Sequence, residues 1–513
     1  MTKPPTDASN PEPPQGSTHP LEAPQRTVIS GVRWHSLGAG SVQASRLLIT
    51  LVLANMLPKE VFGLIAAVQV VVGFADYFKD SGLGQAIVRR KQLEPGFLST
   101  VFYTNLILGA CISMVIWALA SPLSIWLSEP EIRTVLPVLG LSVFITSTGV
   151  VQRNIYARML RFDRLAFASM LNAIVYGVAA ITMAFMGLGI WAMVYGTLLG
   201  HLAGNGVLWV RTDWRPQWTY QWRCVKDIWA FCAGILGSNL SNHFLANVDR
   251  IVVQTVLGTN ALASYVIAAR LVTFPAQNLG RVLSSVMLPA FSSMQDDLES
   301  YRHNFIRACA GIALLTCPMM AGLMAVAPVL VASLIPDPEW QEAIPLIVWM
   351  GPLGVVLAIS LPLHAIYVSL GKTMELLCYG LLFGVISIEA YLIGASYGVV
   401  GVAIAGSVTH SIMAYFYFAV PFRFINLKVR TLSKALIPYF LASAAMGLLV
   451  WVFRVWLEGE GLHARVNLIL SVLLGVLIYG GLMLSLKTPA LIDLMRVVGI
   501  GQRPKASSEE VTQ

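Results

Sequence analysis

The sequence predicts an all-α polytopic membrane protein of about 14 transmembrane helices, built as two pseudosymmetric six-helix lobes around a central cavity plus two C-terminal helices. Three observations carry this prediction. Of the 513 residues, 56% are hydrophobic and only 12% charged, with a mean hydropathy of +0.71. A soluble domain carries roughly twice that charge, and so few charged side chains cannot cover a water-facing surface of this length. The apolar residues fall in runs of about 20, the length that crosses a hydrocarbon core of about 30 Å. Lysines and arginines concentrate in alternate loops between those runs, as membrane topology requires.

In chain order, residues 1–29 form a Pro-rich, polar segment that cannot bury a core and reads as a disordered cytoplasmic tail. The first apolar run starts too late and is too long for a cleaved signal peptide. Spans follow at about 35–57, 61–80, 98–120, 134–152, 165–186, 188–210, 228–256, 261–288, 305–334, 343–370, 373–394, 397–420, 433–456 and 466–486. They group into an N-terminal lobe (30–227, helices 1–6), a C-terminal lobe (228–432, helices 7–12), two further helices (433–486) and a cytoplasmic tail (487–513). The longest loops, near 211–227 and 289–304, run to about 17 residues, too short to fold as a soluble catalytic domain.

With the N-terminus in the cytoplasm, cytoplasmic segments hold 26 of the 34 Lys and Arg residues. The opposite face holds only Lys59, Arg133, Arg454 and Arg465. An error of one helix would scramble this alternation, so an even number of spans with both termini inside is expected. The same bias accounts for the net charge of +8 without any nucleic-acid partner. The six cysteines are scattered through apolar runs without metal-ligand or disulfide spacing, so neither a metal nor a disulfide is expected. Trp214, Trp218, Tyr220, Trp222 and Trp229 around the basic 211–227 loop read as an interfacial anchor on the cytoplasmic face.

A weak internal repeat supports the two lobes. Leu57-Pro58 corresponds to Leu257-Gly258 at an offset of 200, Glu131 to Glu339 at 208, and Ile155-Tyr156 to Ile366-Tyr367 at 211. Each unit holds an even number of helices, so both copies start on the same side and are related by an axis along the membrane normal.

No nucleotide-binding loop, HExxH, GxSxG or dinucleotide fingerprint occurs, so no cofactor is expected and the chain reads as a transporter rather than an enzyme. The informative residues are intramembrane charges. An Arg at mid-helix costs about 2.5–3.5 kcal/mol on insertion scales and normally faces a bundle interior or a watery cavity. Gln43, Arg46 and Thr50 share one face of helix 1, and Asn239, His243, Asn247 and Arg250 form a stripe on helix 7. Arg270, Gln277 and Arg281 share a face of helix 8. The repeat maps Gln43 onto His243 and Thr50 onto Arg250, so both stripes are expected to face a shared cleft suited to an anion. Arg46 could instead be a hydrogen-bonding post between helices, and Arg281 could snorkel to the interface. Asp76, Glu389 and Asp249 are the acids available for proton or cation coupling, or for structural pairing.

Four segments carry a resemblance: LPKEVFGLIAAVQVVVGFADYFKDSGLGQAIVRRKQL (57–93), QRNIYARMLRFDRLAF (152–167), NVDRIVVQTVLGTNALASYVIAARL (247–271) and VLSSVMLPAFSSMQDD (282–297). They resemble the polysaccharide-transporter branch of the multidrug/oligosaccharidyl-lipid/polysaccharide exporter superfamily, which includes O-antigen and exopolysaccharide flippases. The resemblance implies alternating access, a cationic central cavity and a substrate that is an undecaprenyl-diphosphate-linked oligosaccharide. It also implies the bacterial inner membrane, with membrane lipids and other polysaccharide-assembly proteins as partners. The competing readings are a cation or drug antiporter of the same superfamily, which calls for acidic cavity residues, and an integral-membrane glycosyltransferase or polymerase, which calls for a sizeable loop.

Overall fold

The computed structural model describes residues 25–79, 82–89, 95–159, 161–292, 294, 297–486 and 488–492. Among them there is no β-strand. The first half of the chain forms α1 (Gln25–Ala54), α2 (Lys59–Lys79), α3 (Leu83–Arg89), α4 (Pro95–Trp126), α5 (Ile132–Ser147), α6 (Val150–Arg158), α7 (Phe162–Phe185) and α8 (Ile190–Arg211). The second half forms α9 (Trp222–Leu257), α10 (Thr259–Ser292), α11 (Leu298–Leu334), a 3-10 turn (Pro338–Glu342), α12 (Ala343–Ser360), α13 (Leu363–Ser369), α14 (Thr373–Ala395) and α15 (Gly398–Phe422). Helices α16 (Val429–Gly459) and α17 (Ala464–Leu486) follow.

Nine stretches of the described helices are long and apolar enough to cross a membrane, or ten if the pair α5–α6, bent by 42°, is one span. Helices α8, α9 and α10 are not among them, and of α1 only Gly40–Ala54 counts, as a shorter apolar helix. Helices α8, α9 and α10 carry several polar residues: α9 alone holds Asn239, His243, Asn247, Asp249 and Arg250. Polar side chains lower a helix's mean hydropathy wherever it runs.

Several boundaries differ from those expected. Helix α1 begins at Gln25, directly after Pro24, because nothing between Gln25 and Gly31 breaks a helix. The end of the expected tail at 29 therefore falls inside a helix, while residues 1–24 lie outside the described residues. The expected 211–227 loop shrinks to 212–221, since α9 starts at Trp222. The tight turns expected near 187–189 and 394–398 are present. Gly187, Gly189 and Gly398 adopt φ of +78°, +56° and +80°, conformations that side-chain-bearing residues rarely take.

The packing pattern repeats along the chain. Helix α7 packs along α8 as α14 packs along α15, and α4 along α5 as α11 along α12. Helix α1 packs on α7 as α9 packs on α14, and α5 on α8 as α12 on α15. The two series meet where α2 packs on α9 and α10, and where α1 packs on α10. Helices α16 and α17 lie against α11. Residues such as Met114, Trp117, Leu441, Leu448, Leu473 and Leu477 are exposed along these helices. In water such an apolar surface would drive aggregation; against lipid tails it is the matched solvent.

Candidate functional site

The polar interior is a chamber bounded by α1, α2, α5, α6, α7, α8 and α10. It comprises two contiguous cavities of about 320 and 420 Å³ that share Arg46, Asp76, Asn172 and His201. Arg46 and Thr50, one turn apart on α1, open into it with Arg270 of α10. The Thr50 hydroxyl donates to the Arg46 carbonyl at 2.7 Å and accepts from the Arg270 guanidinium. Arg270 lies within electrostatic reach of both Arg46 and Arg250. The second cavity adds Lys79 and Arg153. Lys79 is buried; its ammonium donates to the Asp76 carboxylate at 2.9 Å and to the Thr146 hydroxyl at 2.7 Å. Asn172 and Tyr176 on α7, and Thr197 and His201 on α8, supply neutral polar walls, with Asn172 Nδ2 3.3 Å from His201 Nδ1.

Four cations thus line the chamber against one acid, Asp76, which is already paired. A space so lined attracts an anion, and at the low effective dielectric of a helix bundle that attraction is weakly screened. The guanidinium fork suits a phosphate oxygen pair. A larger cavity, about 610 Å³ among α11, α12, α15 and α16, is walled by Met320, Met324, Val355, Tyr415, Phe418 and Leu436 and by no charged residue. It has no means of holding a charged group.

The expected site residues divide. Arg46 and Arg270 come together, and Asp76 joins them. Gln43 lies one turn before Arg46 and is partly exposed. Arg250 does not line the chamber: its guanidinium donates to Asn247 Oδ1 at 2.9 Å, and its Nε is buried without an acceptor. His243 does not line it either. Its ring packs edge-on against Phe74 at 4.6 Å and beside Tyr77 at 4.8 Å. Gly73 makes room for that ring, since a Cβ there would lie 2.7 Å from it. His243 pins α9 onto α2. Asn239, one turn earlier, is half-buried on the same helix. The Arg281 side chain lies outside the described residues. Asp249 accepts from the Tyr265 hydroxyl at 2.8 Å, and its second carboxylate oxygen is buried without a partner. Glu389, expected as a buried acid, is exposed on the α14 face that also shows Val385, Leu392 and Ile393.

The sequence reading did not single out Lys79, Arg153, Asn172, Tyr176 or His201 as lining residues. Lys79 ends α2, and Arg153 directly follows the expected span 134–152, so both read as loop cations. The signal for the others was present: Asn172 and Tyr176, and Thr197 and His201, are polar pairs four residues apart in otherwise apolar helices.

A family model described as "polysaccharide biosynthesis protein" matches residues 52–345. The chain is 24% identical over 462 residues to the teichuronic acid biosynthesis protein TuaB of Bacillus subtilis, covering 88% of this chain and 94% of that protein. It is 26% identical over 302 residues to the succinoglycan biosynthesis transport protein ExoT of Rhizobium meliloti, covering 59% and 61%. Among solved structures, the lipid II flippase MurJ in an inward closed conformation superimposes with a TM-score of 0.71 at 13% identity, covering 90% of this chain and 99% of that one. That likeness concerns the fold.

Proposed function

The chain belongs to the polysaccharide biosynthesis protein family, and on that premise we propose that it is a flippase. Its substrate is an oligosaccharide carried on undecaprenyl diphosphate, moved across the bacterial inner membrane by alternating access for surface polysaccharide assembly. The observation that carries this reading is the chamber in which Arg46, Arg153, Arg270 and Lys79 face a single, paired acid. A diphosphate is the part of such a substrate that hydrocarbon rejects most strongly, and it needs fixed cations along its path. Each charge-assisted hydrogen bond to it contributes roughly 1.5–3 kcal/mol. A drug or cation antiporter would require the opposite polarity. Transfer of sugars would require a reacting constellation that the chamber's paired Asp76 does not supply.

The architecture that goes with this function has fourteen spans, the polar α1, α8, α9 and α10 crossing with the rest, and both termini cytoplasmic. Helices α1–α8 and α9–α15 make up the two lobes and α16 and α17 the added pair, with the segments before α1 and after α17 as the tails. The recurrence of the same helix pairings in the two halves supports it. Arg46 and Arg270 bind the diphosphate directly. Arg250, with Asn247 and His243, holds α9 in place and enters the substrate path when the lobes rock. Gln43, Asn239 and Arg281 lie along that path. Asp76 and Asp249 are the coupling candidates; Glu389 stands apart on the outward face of α14.

Cells lacking the protein are expected to accumulate a completed oligosaccharide on its polyprenyl diphosphate. Accumulation of shortened, unfinished oligosaccharides would instead mark a sugar-transfer enzyme and overturn the proposal.

A further inference from the structure

Away from the chamber, the two halves are fastened together at the starts of α2 and α10. Lys59, the first residue of α2, is 7% exposed in its side chain, and its ammonium contacts the Glu342 carboxylate at 2.7 Å and the Glu339 carbonyl at 3.2 Å. The Ser264 hydroxyl of α10 donates to the same Glu342 oxygen at 3.1 Å. Thr259, the first residue of α10, donates its hydroxyl to Glu129, in the turn between α4 and α5, and accepts from the Gln254 amide at 3.1 Å. The repeat offset of 200 places Lys59 on Thr259. The opening residue of each helix therefore reaches across to an acid of the other half. The acid in each case lies just beyond the long helix that follows the counterpart helix in that half, Glu342 beyond α11 and Glu129 beyond α4. Between the two links Gly63 crosses the Thr259 carbonyl so closely that a Cβ would stand 2.0 Å from it. Phe62 meets the buried Trp340 edge-on at 5.5 Å, and the Asn55 amide donates to the Leu334 carbonyl at 2.6 Å.

We propose that Lys59–Glu342 and Thr259–Glu129 are paired latches of the outer gate, which hold the chamber shut on the extracytoplasmic side and must part for it to open there. This rests on the alternating-access reading above. A tightly closed plug of apolar residues alone would hold one state; polar latches that water can replace once they part give two states of similar free energy, which a cycling gate needs. Glu342 is the water-accessible partner, 59% exposed in its side chain, so it is rehydrated first.

The test uses the full-length chain with its native cysteines replaced and one reporter, Ser142→Cys, on α5 where it lines the chamber beside Arg46 and Arg270. A membrane-impermeant maleimide is applied from outside, and labelling is normalised to the total seen after denaturation. Glu342→Lys and Lys59→Glu should each accelerate outside labelling about fivefold or more, the effect of losing roughly 1 kcal/mol. The double swap, Lys59→Glu with Glu342→Lys, should return the rate toward that of the parent. Glu342→Gln, which removes charge without repulsion, should fall between. Parent-like rates in both single variants, or a double swap that labels as fast as the singles, would overturn the latch. The same pattern seen only with reagent on the cytoplasmic side would support the latch and overturn the assigned orientation. Because no substrate is present, a failure of the flippase reading leaves these rates unchanged and is read separately.

Discussion

The arginines best placed to hold a substrate are those that a helix would otherwise least tolerate. Arg46 and Arg270 sit well inside long helices, where the polar walls of the chamber, and for Arg270 the Thr50 hydroxyl that its guanidinium contacts, offset the cost of keeping them. Replacing either with Ala should weaken binding of a diphosphate-headed lipid about tenfold, whereas Lys should recover part of it by keeping the charge without the fork. A binding isotherm on purified protein measures this; unchanged affinity in both Ala variants would reduce the two residues to helix–helix posts. This much was legible in the sequence, because a mid-helix charge is rare and demands a reason. What was not legible is which way a polar stripe turns. His243 and Arg250 share a stripe with helical spacing just as Arg46 and Thr50 do, yet Gly73 on α2 opens a socket for the His243 ring, and Asn247 captures Arg250. Spacing fixes which residues share a face; the residue opposite fixes what that face meets.

The bent element α5–α6 shows how one helix can shape a chamber wall. The 42° break leaves backbone carbonyls without their usual partners. Helix α8 adds donors at the break: Trp209 Nε1 donates to the Thr148 carbonyl at 3.0 Å, and Asn205 Nδ2 to the Ile145 carbonyl at 2.7 Å, beside the Thr148 hydroxyl already on it. Gly149 at the break gives space for that amide, since a Cβ there would stand 2.5 Å from Asn205 Oδ1. Asn205→Leu should therefore cost about 0.5–1.5 kcal/mol, the net contribution of one hydrogen bond, since the Ile145 carbonyl keeps the Thr148 hydroxyl at 2.7 Å and the Thr148 N–H at 3.2 Å. It should also displace Arg153, which follows the bend. Thermal unfolding in detergent checks the first effect; wild-type stability would mean that Asn205 does not hold the bend. Helix boundaries in this region were legible to within a few residues, but the bend was not, because neither half of 132–158 contains a proline at the break and Gly149 alone does not dictate one.

At the scale of the whole molecule, apolar runs and loop charges foretold a polytopic bundle, and family membership places it in polysaccharide biosynthesis. The polar helices were legible as apolar runs at about 35–57, 188–210, 228–256 and 261–288, although their polar residues lower the mean hydropathy of α8, α9 and α10. Topology is open to a direct check: single cysteines at 128–132 and 458–462 should react with an impermeant reagent from outside, and those at 153–164 or 423–434 should not. Outside labelling of 153–164 would invert the assigned orientation. The central claim, that the chamber carries an anionic headgroup across the membrane, is tested most directly by flipping in proteoliposomes, normalised to correctly inserted protein. The comparison sets a polyprenyl-diphosphate-linked oligosaccharide against the same oligosaccharide on an uncharged polyprenyl carrier, for the parent and for Arg46→Ala and Arg270→Ala. The diphosphate lipid should cross in the parent, about tenfold more slowly in each variant, and the neutral lipid should show no dependence on either arginine. Equal flipping of the diphosphate lipid by the parent and both variants would contradict the account.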